Sequence, residues 1–310
     1  MVITGLTYRV GQLTPLEELS GHALSADTVE ALRERGQRVC AIADSEFPLI
    51  GEAVRGTLAA ADVEPEQVDR IVVTSESILI SGSKRHHEHK RAELYGYLAD
   101  CGLSGAPVVL MTFAGCSSAV MALEYALHVV RAGDARHILV LAADRVLEDA
   151  DRVLAPKVSV VGDGAASCLV TGRQGRVGDF DLRWVRRRGF LRAVAHQRAD
   201  NFGPSLVMMG RALASLGREV ATASPPTRDA WLACNNYGLP TLRLFAHSLG
   251  HPEERVFIDN VAAIGHLGSP DPLVNLACLA ECGEPVLTLA TGPADCTLAL
   301  LTPVLSGAQR

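Results

Sequence analysis

The hydrophobic pattern of the chain alternates between short, continuous apolar runs and longer runs with helical spacing. Residues 69–75, DRIVVTS, and 137–144, HILVLAAD, are rich in Val, Ile and Leu. Continuous runs of this kind predict strands that are buried on both faces of a sheet. Residues 47–62 place apolar side chains three and four positions apart, which predicts a helix packed on such a sheet. The pattern as a whole predicts an α/β layered fold.

The order of elements occurs twice along the chain. A helix end, a Pro-Glu turn and a strand occur in LAAADVEPEQVDRIVVTS and again in AHSLGHPEERVFIDNVA. Each half then closes on a Gly-led turn and a strand, GDGAASCLVTG (162–172) and GPADCTLALLT (292–302). This repetition predicts a duplicated α/β half, with residues 1–172 forming the first half and residues 173–310 the second.

Cys116 lies where a predicted strand, residues 107–113, turns into a predicted helix. Val120, Leu123, Leu127 and Val130 follow it along one apolar helix face, and Gly133 is placed to end that helix. Unpaired N–H groups and the helix dipole at this position stabilise a thiolate, which favours a nucleophile. A small buried thiol that fills space before a core helix has the same local pattern, so both interpretations remain open at this point.

Composition narrows the function classes. The chain has 310 residues and a formal net charge of −6, which argues against a general nucleic-acid binder. No apolar run approaches the roughly 20 residues that a membrane-spanning helix needs, and no signal peptide is evident. The eight cysteines include no CxxC pair, which disfavours a structural zinc site and predicts reduced thiols. We therefore expect a cytoplasmic protein that binds no metal, no nucleic acid and no membrane.

Four further segments, together with AGCSSA around Cys116, resemble motifs of the thiolase superfamily, and most closely of ketoacyl-carrier-protein synthase III. They are GDGAAS (162–167), WLACNNYGLPT (231–241), AAIGHLGSPDPLVNLA (262–277) and LATGPADC (289–296). The resemblance covers nearly the whole chain. It implies a five-layer α-β-α-β-α thiolase fold, a homodimer, and an active site at the foot of a tunnel. It also implies that Cys116 takes an acyl group from coenzyme A or an acyl carrier protein.

The same resemblance assigns roles to the other candidate residues, with one departure. Synthase III enzymes use Cys, His and Asn in that order, whereas here Asn235 stands at the His position and His266 at the Asn position. The exchanged order resembles thiolases themselves. His266 is the expected general base and acid, and Asn235 is expected to position a water or an oxyanion. The N–H groups of Cys116 and of Thr291 or Gly292 are expected to form the oxyanion hole.

Three functions remain open. The first is acyl transfer from acyl-CoA or acyl-phosphopantetheine, through Cys116, to a hydroxyl, amine or thiol acceptor. We expect this reaction to belong to natural-product or lipid biosynthesis and to need no bound cofactor. The second is decarboxylative condensation with a malonyl thioester. The third is a non-catalytic partner subunit, against which the presence of both Cys116 and His266 argues. A thiolase reaction would need a second Cys at the position of Ala290 or Thr291, and neither Cys282 nor Cys296 matches that position.

Two basic segments add weaker hypotheses. Arg186, Arg187 and Arg188 could steer an acidic carrier protein or bind its phosphopantetheine, although a solvated connecting strand is the simpler interpretation. The segment SGSKRHHEHKRAE (81–93) is predicted to be an exposed loop. Its histidines, His86, His87 and His89, are not expected to form a metal site. The four cations of that segment could contact phosphate groups; they are Lys84, Arg85, Lys90 and Arg91.

Overall fold

The computed structural model describes residues 1–19, 24–78, 84–147, 150–154, 158–191, 203–223 and 227–305, apart from the side chains of residues 84–86, 203–205 and 223. Residues 81–83 of the His-rich segment therefore lie outside the described residues, as do the side chains of Lys84, Arg85 and His86. Among the described residues, no helix is both long and apolar enough to cross a membrane.

The strands follow the apolar runs of the sequence. In chain order they are β1 (Val2–Val10), β2 (Gln12–Pro15), β3 (Val39–Ile42), β4 (Arg70–Thr74), β5 (Val108–Met111), β6 (His137–Asp144), β7 (Val153–Leu154), β8 (Ser159–Val160), β9 (Gly164–Thr171), β10 (Phe180–Gly189), β11 (Trp231–Cys234), β12 (Val256–Phe257), β13 (Val286–Thr291) and β14 (Asp295–Pro303).

The α-helices lie between these strands. They are α1 (Ala26–Glu34), α2 (Glu46–Ala61), α3 (Lys84–Asp100), α4 (Ser118–Ala132), α5 (Gly203–Ala223), α6 (Leu239–Leu249), α7 (Asp259–Ala263) and α8 (Asp271–Leu279). Helix α4 ends as the sequence predicts, because Gly133 adopts a left-handed conformation with φ 81°.

The strand order of the large sheet repeats itself about its centre. The order is β12-β11-β13-β14-β10-β1-β9-β6-β4-β5. In the first half β4 pairs in parallel with β5 and β6, and in the second half β11 pairs in parallel with β12 and β13. The two halves meet at β1 and β10, which share only the pairs Val2↔Asp181 and Ile3↔Phe180. This repeated topology supports the proposal of two duplicated halves that join near Arg173.

Helices cover both faces of each half of the sheet. Helices α4 and α8 lie in the middle, where one hydrophobic core joins them to strands of both halves. Helices α2 and α3 pack on the outer face of the first half, and α5 and α6 pack on the outer face of the second. Because α4 is enclosed by both halves, Ala119, Ala122 and Ala126 are buried together with the predicted apolar stripe. This arrangement of helices outside and between the two halves agrees with the predicted five-layer thiolase fold.

The structure corrects the prediction for residues 84–93, which belong to helix α3 and not to a loop. Leu94 and Leu98, four residues apart, are buried against α2, and this narrow stripe escaped notice in a very polar segment. Lys90 is also buried, and its Nζ lies 2.8 Å from Glu46 Oε1. It is therefore not available to a phosphate group, and that part of the phosphate hypothesis is wrong.

Candidate active site

The turn that carries Cys116 is built between β5 and α4. Phe113 and Gly115 both have positive φ angles, 66° and 55°. A Cβ atom at Gly115 would lie 2.6 Å from Cδ of Pro293, so only glycine fits here. The N–H of Gly115 donates to Oε1 of Glu76 at 2.9 Å, which holds the turn against the end of β4. A bulky residue with positive φ, such as Phe113, is uncommon and occurs preferentially at functional turns.

The predicted nucleophile faces the predicted base. Sγ of Cys116 lies 3.5 Å from Nε2 of His266. Cys116 lies at the head of α4, and His266 lies just before α8. His266 is buried, and its other ring nitrogen, Nδ1, makes a short hydrogen bond to Oδ2 of Asp271. The three side chains therefore form a line from a thiol through an imidazole to a buried carboxylate. This is the arrangement that lets a histidine exchange protons with a nucleophile.

Asp271 is the residue that the sequence analysis missed. Besides His266, it accepts hydrogen bonds from the backbone N–H groups of Leu267 and Asn236, each at 2.8 Å. It also accepts one from Nδ2 of Asn236 at 3.2 Å. The available signal was GHLGSPD, where an acidic residue follows a proline at the start of a helix, five residues after the histidine.

The charge of Asp271 controls the proton affinity of His266. Burial by itself lowers the pKa of His266, but the Asp271 carboxylate and the nearby Cys116 outweigh that effect and raise the pKa to about 10. His266 is therefore a much stronger base than an ordinary histidine. It can take the proton of Cys116 and hold it near the sulfur.

Asn235 is turned towards the backbone. Its Nδ2 donates to the carbonyl oxygens of Cys116 at 3.4 Å and Gly268 at 3.5 Å, and its Oδ1 accepts from the N–H of Thr291 at 3.0 Å. The N–H of Gly292 also has an acceptor, the carbonyl of Asp295 at 2.9 Å. Both N–H groups expected to supply the second oxyanion-hole donor are thus engaged within the chain, so in this arrangement neither is free for an acyl oxygen.

A chain of hydrogen-bonded, buried asparagine side chains leads to Asp271. Nδ2 of Asn275 lies 3.0 Å from Oδ1 of Asn236, and Nδ2 of Asn260 lies 2.7 Å from Oδ1 of Asn275. Asn236 in turn donates to Asp271. Each member is a neutral group that orients the next, so the network fixes the carboxylate without adding a competing charge.

The three arginines of β10 lie away from this line and pair with carboxylates of the chain itself. Arg186 and Arg188 contact Glu219 of α5, and Arg187 lies 3.2 Å from Glu124 of α4. Strand β10 is not a connecting strand, because it pairs with β14 from Phe180 to Gly189. A role for these arginines in carrier binding stays a prediction.

No group of three or more metal-binding side chains occurs in the part of the chain that the structure describes. His89 instead lies 3.7 Å from Glu93, one helical turn away on α3. The side chain of His86 lies outside the described residues.

Two topologically alike halves with a cysteine at the head of the central helix agree with the predicted resemblance, and comparison with known proteins tests it. A model of the family described as 3-oxoacyl-[acyl-carrier-protein (ACP)] synthase III matches residues 112–184, which include Cys116. The chain is 33% identical over 167 residues to beta-ketoacyl-[acyl-carrier-protein] synthase III 4 of Streptomyces coelicolor, covering 53% of this chain and 49% of that protein. The match thus spans about half the length of this curated relative.

Solved structures extend the likeness over the whole chain. The 3-oxoacyl-[acyl-carrier-protein] synthase III of Aquifex aeolicus has a TM-score of 0.77 at 19% identity, covering 97% of this chain and 99% of its own. ChlB3, described as an acyltransferase, has a TM-score of 0.80 at 20% identity, covering 98% of both chains. These likenesses show the fold. The predicted resemblance is confirmed: the protein is synthase III-like and has the thiolase fold.

Proposed function

We propose that this protein is an acyltransferase that moves an acyl group from a coenzyme A or carrier-protein thioester, through an acyl-Cys116 intermediate, to a hydroxyl, amine or thiol acceptor. The observation that carries the proposal is the line from Cys116 through His266 to Asp271. Nothing in the reaction requires a bound cofactor or a metal ion.

The first half-reaction loads the cysteine. His266 Nε2 takes the proton of Cys116, and the sulfur attacks the carbonyl carbon of the thioester. When the tetrahedral intermediate collapses, the bond to the carrier sulfur breaks and the leaving thiol takes the proton back from His266. Asp271 stabilises the imidazolium between these two proton transfers and keeps the ring oriented.

The second half-reaction releases the acyl group. Neutral His266 removes the proton of an incoming hydroxyl, amine or thiol, and that atom attacks the carbonyl carbon of acyl-Cys116. The carbon–sulfur bond to Cys116 then breaks, and the thiolate and the imidazolium are restored. The same base serves both halves, so one histidine suffices for transfer.

The geometry of Asn235 favours transfer over decarboxylative condensation. Condensation with a malonyl thioester needs polar donors that stabilise an enolate, and Asn235 would have to be one of them. Its amide donors instead meet the carbonyl oxygens of Cys116 and Gly268. A relative described as an acyltransferase, ChlB3, also supports transfer. The homodimer, the tunnel and the cytoplasmic location stay predictions within this proposal.

Intact-mass analysis tests the proposal directly. We expect the pure protein, mixed with an acyl N-acetylcysteamine thioester, to gain the mass of one acyl group, and Cys116→Ala to gain none. Cys278 and Cys282 are exposed thiols, so a peptide digest must place the group on Cys116. The nucleophile assignment fails if the wild type forms no adduct or if Cys116→Ala forms the same one.

A second substrate separates the two chemistries. When the acylated protein is given malonyl thioester labelled at the free carboxyl carbon, we expect no labelled carbon dioxide. Release of carbon dioxide at a rate comparable to acyl transfer would replace the proposal with decarboxylative condensation.

A further inference from the structure

The proposed transfer, on which this inference rests, creates a negative oxygen at the carbonyl of acyl-Cys116. Such an oxyanion needs hydrogen-bond donors that are already in place. The N–H groups of Thr291 and Gly292 donate elsewhere, as does the amide of Asn235. Besides the N–H of Cys116, the site therefore needs a second donor from another residue.

Tyr237 is placed to be that donor. It follows Asn235 in the turn after β11, where its N–H donates to the carbonyl of Asn235 at 2.7 Å. Its ring packs on His266, with the ring centroids 4.6 Å apart and the planes tilted by 48°. Nε2 of His266 is itself 3.5 Å from Sγ of Cys116. The Tyr237 ring therefore packs on the histidine that contacts the nucleophile.

The hydroxyl of Tyr237 points to the turn that was expected to supply the oxyanion donor. It lies 3.5 Å from the carbonyl oxygen of Thr291 and 3.4 Å from Oγ1 of the same residue. Hydroxyl hydrogen bonds are usually about 2.7–2.8 Å long, so both contacts are weak. The phenol hydroxyl thus lies beside Thr291, the residue from which an oxyanion donor was expected, and its hydrogen bonds there are weak.

The protonation state of Tyr237 suits a donor. Burial, and then the nearby Cys116, hold the pKa of the Tyr237 phenol well above its usual range. The hydroxyl therefore keeps its proton throughout the pH range in which the histidine works, and it can give a hydrogen bond without giving up the proton.

We propose that the Tyr237 hydroxyl donates a hydrogen bond to the carbonyl oxygen of acyl-Cys116 as that oxygen becomes negative, in place of the backbone N–H groups of Thr291 and Gly292. No proton is transferred and no bond is formed or broken by Tyr237. The hydroxyl turns from Thr291 to the substrate oxygen, and its weak contacts with Thr291 make that exchange inexpensive.

Tyr237→Phe tests the proposal, because it removes the hydroxyl and keeps the ring on His266. We expect acyl-Cys116 to form about 100-fold more slowly from an acyl N-acetylcysteamine thioester, the usual cost of one oxyanion donor. The matched control is Tyr125→Phe. Tyr125 lies on α4, and its hydroxyl accepts from Arg70 at 2.7 Å, so this variant loses a stronger phenol hydrogen bond outside the site. We expect it to acylate within twofold of the wild type.

Alkylation of Cys116 by iodoacetamide separates a donor from a structural role. Alkylation needs the thiolate and its histidine but creates no oxyanion, so Tyr237→Phe should alkylate Cys116 within twofold of the wild type, read on the Cys116 peptide. If alkylation slows as much as acylation, Tyr237 acts through His266 or the thiol, and the proposal is overturned. It is also overturned if Tyr237→Phe acylates within threefold of the wild type. If the wild type forms no acyl-Cys116 at all, the proposed function itself fails and this inference falls with it.

Discussion

Two fully buried aspartates, Asp163 in the first half and Asp271 in the second, have similar surroundings and different partners. Asp163 accepts from the backbone N–H groups of Ala43 and Val146, each at 2.8 Å, and from both terminal nitrogens of Arg152 at 2.9 and 3.0 Å. Asp271 likewise accepts from two backbone N–H groups, but its partner is His266.

The difference lies in whether the partner can release its proton. A guanidinium stays protonated at any pH that the fold survives, so Asp163 and Arg152 form a fixed ion pair. An imidazole can lose its proton, so the charge of the pair formed by Asp271 and His266 can change, as the proposed reaction requires. Each carboxylate is buried and has two backbone donors. In the first half it forms a structural ion pair, and in the second half it forms the proposed catalytic pair.

The two pairs are also joined. The N–H of Gly162, next to Asp163, donates to the carbonyl oxygen of His266 at 2.7 Å, and Val161 forms a β-bridge with His266. The fixed pair therefore holds the backbone of the residue that titrates, across the boundary between the halves.

The largest expected effect is that of Asp271→Asn on chemistry. The asparagine cannot stabilise the imidazolium or keep the ring in the required tautomer, so we expect acyl-Cys116 to form about 10³- to 10⁴-fold more slowly. Stopped reactions with an acyl N-acetylcysteamine thioester, read by intact mass, measure this rate. An acylation rate within tenfold of the wild type would show that Asp271 is only a structural carboxylate, like Asp163.

The next effect is that of Asp163→Asn on stability. This change leaves the Arg152 guanidinium buried without its counter-ion, so we expect the free energy of unfolding to fall by about 3–5 kcal/mol. Urea unfolding followed by circular dichroism measures it. The folded fraction of Asp163→Asn should acylate Cys116 within about tenfold of the wild type. This range allows for the contact of Gly162 with His266. An acylation rate as low as that of Asp271→Asn would show that the two carboxylates do not differ in function.

A smaller effect should appear in the pH dependence of stability. The raised pKa of His266 means that its contribution is fully present below about pH 6.5 and is lost as pH rises towards about 10. The comparison uses Cys116→Ala, which leaves the His266–Asp271 pair without its neighbouring thiol. The free energy of unfolding of this variant should fall by up to about 1.4 kcal/mol per pH unit within this window. Because Cys116 also raises the pKa of His266, its removal lowers the upper pH limit of the window.

The double variant Cys116→Ala, Asp271→Asn is the control for that slope. Without the carboxylate that raises the pKa of His266, the fall in stability between pH 6.5 and 9 should largely disappear. The Asp163 pair should add nothing to the slope, because an arginine guanidinium stays protonated throughout this pH range. Equal slopes in the single and double variants would contradict the role given to Asp271.

The smallest effect is expected at an exposed aspartate. Asp62 lies 3.3 Å from Arg176 at the surface and ends α2 with a left-handed φ of 53°, which asparagine tolerates equally well. We expect Asp62→Asn to change the free energy of unfolding by less than about 0.5 kcal/mol. If this variant lost as much stability as Asp163→Asn, burial would not be what distinguishes the carboxylates.

Sequence patterns led to most of the fold and to part of the site. Cys116, Asn235 and His266 could be found because each lies in a short segment with a recognisable order. Asp271 was harder to find, because an acidic residue after a proline at a helix start does not by itself indicate contact with His266. The turn through Gly268, with φ 81°, brings the head of α8 back to the ring. Only the folded chain shows that approach.

The other differences between the structure and the expectations have physical causes of the same kind. Helix α3 was mistaken for a loop because its buried side is only a thin stripe in a polar segment. The expected oxyanion donors were assigned from a Gly-rich motif, whereas the side chain of Asn235 occupies the N–H of Thr291. Hydrogen-bond partners that come from distant strands leave no mark on local sequence, and Tyr237 escaped notice for that reason.

The central position of β1 also sets an order of events during synthesis. This strand pairs along most of its length with β9 and, through Val2 and Ile3, with β10. About 150 residues separate the end of β1 from the start of β9. At about 5–20 residues per second, a ribosome needs roughly 10 to 30 seconds to supply that partner. The nascent first half must therefore wait with an unpaired strand, and a reactive Cys116 can gain its histidine only after most of the chain has emerged.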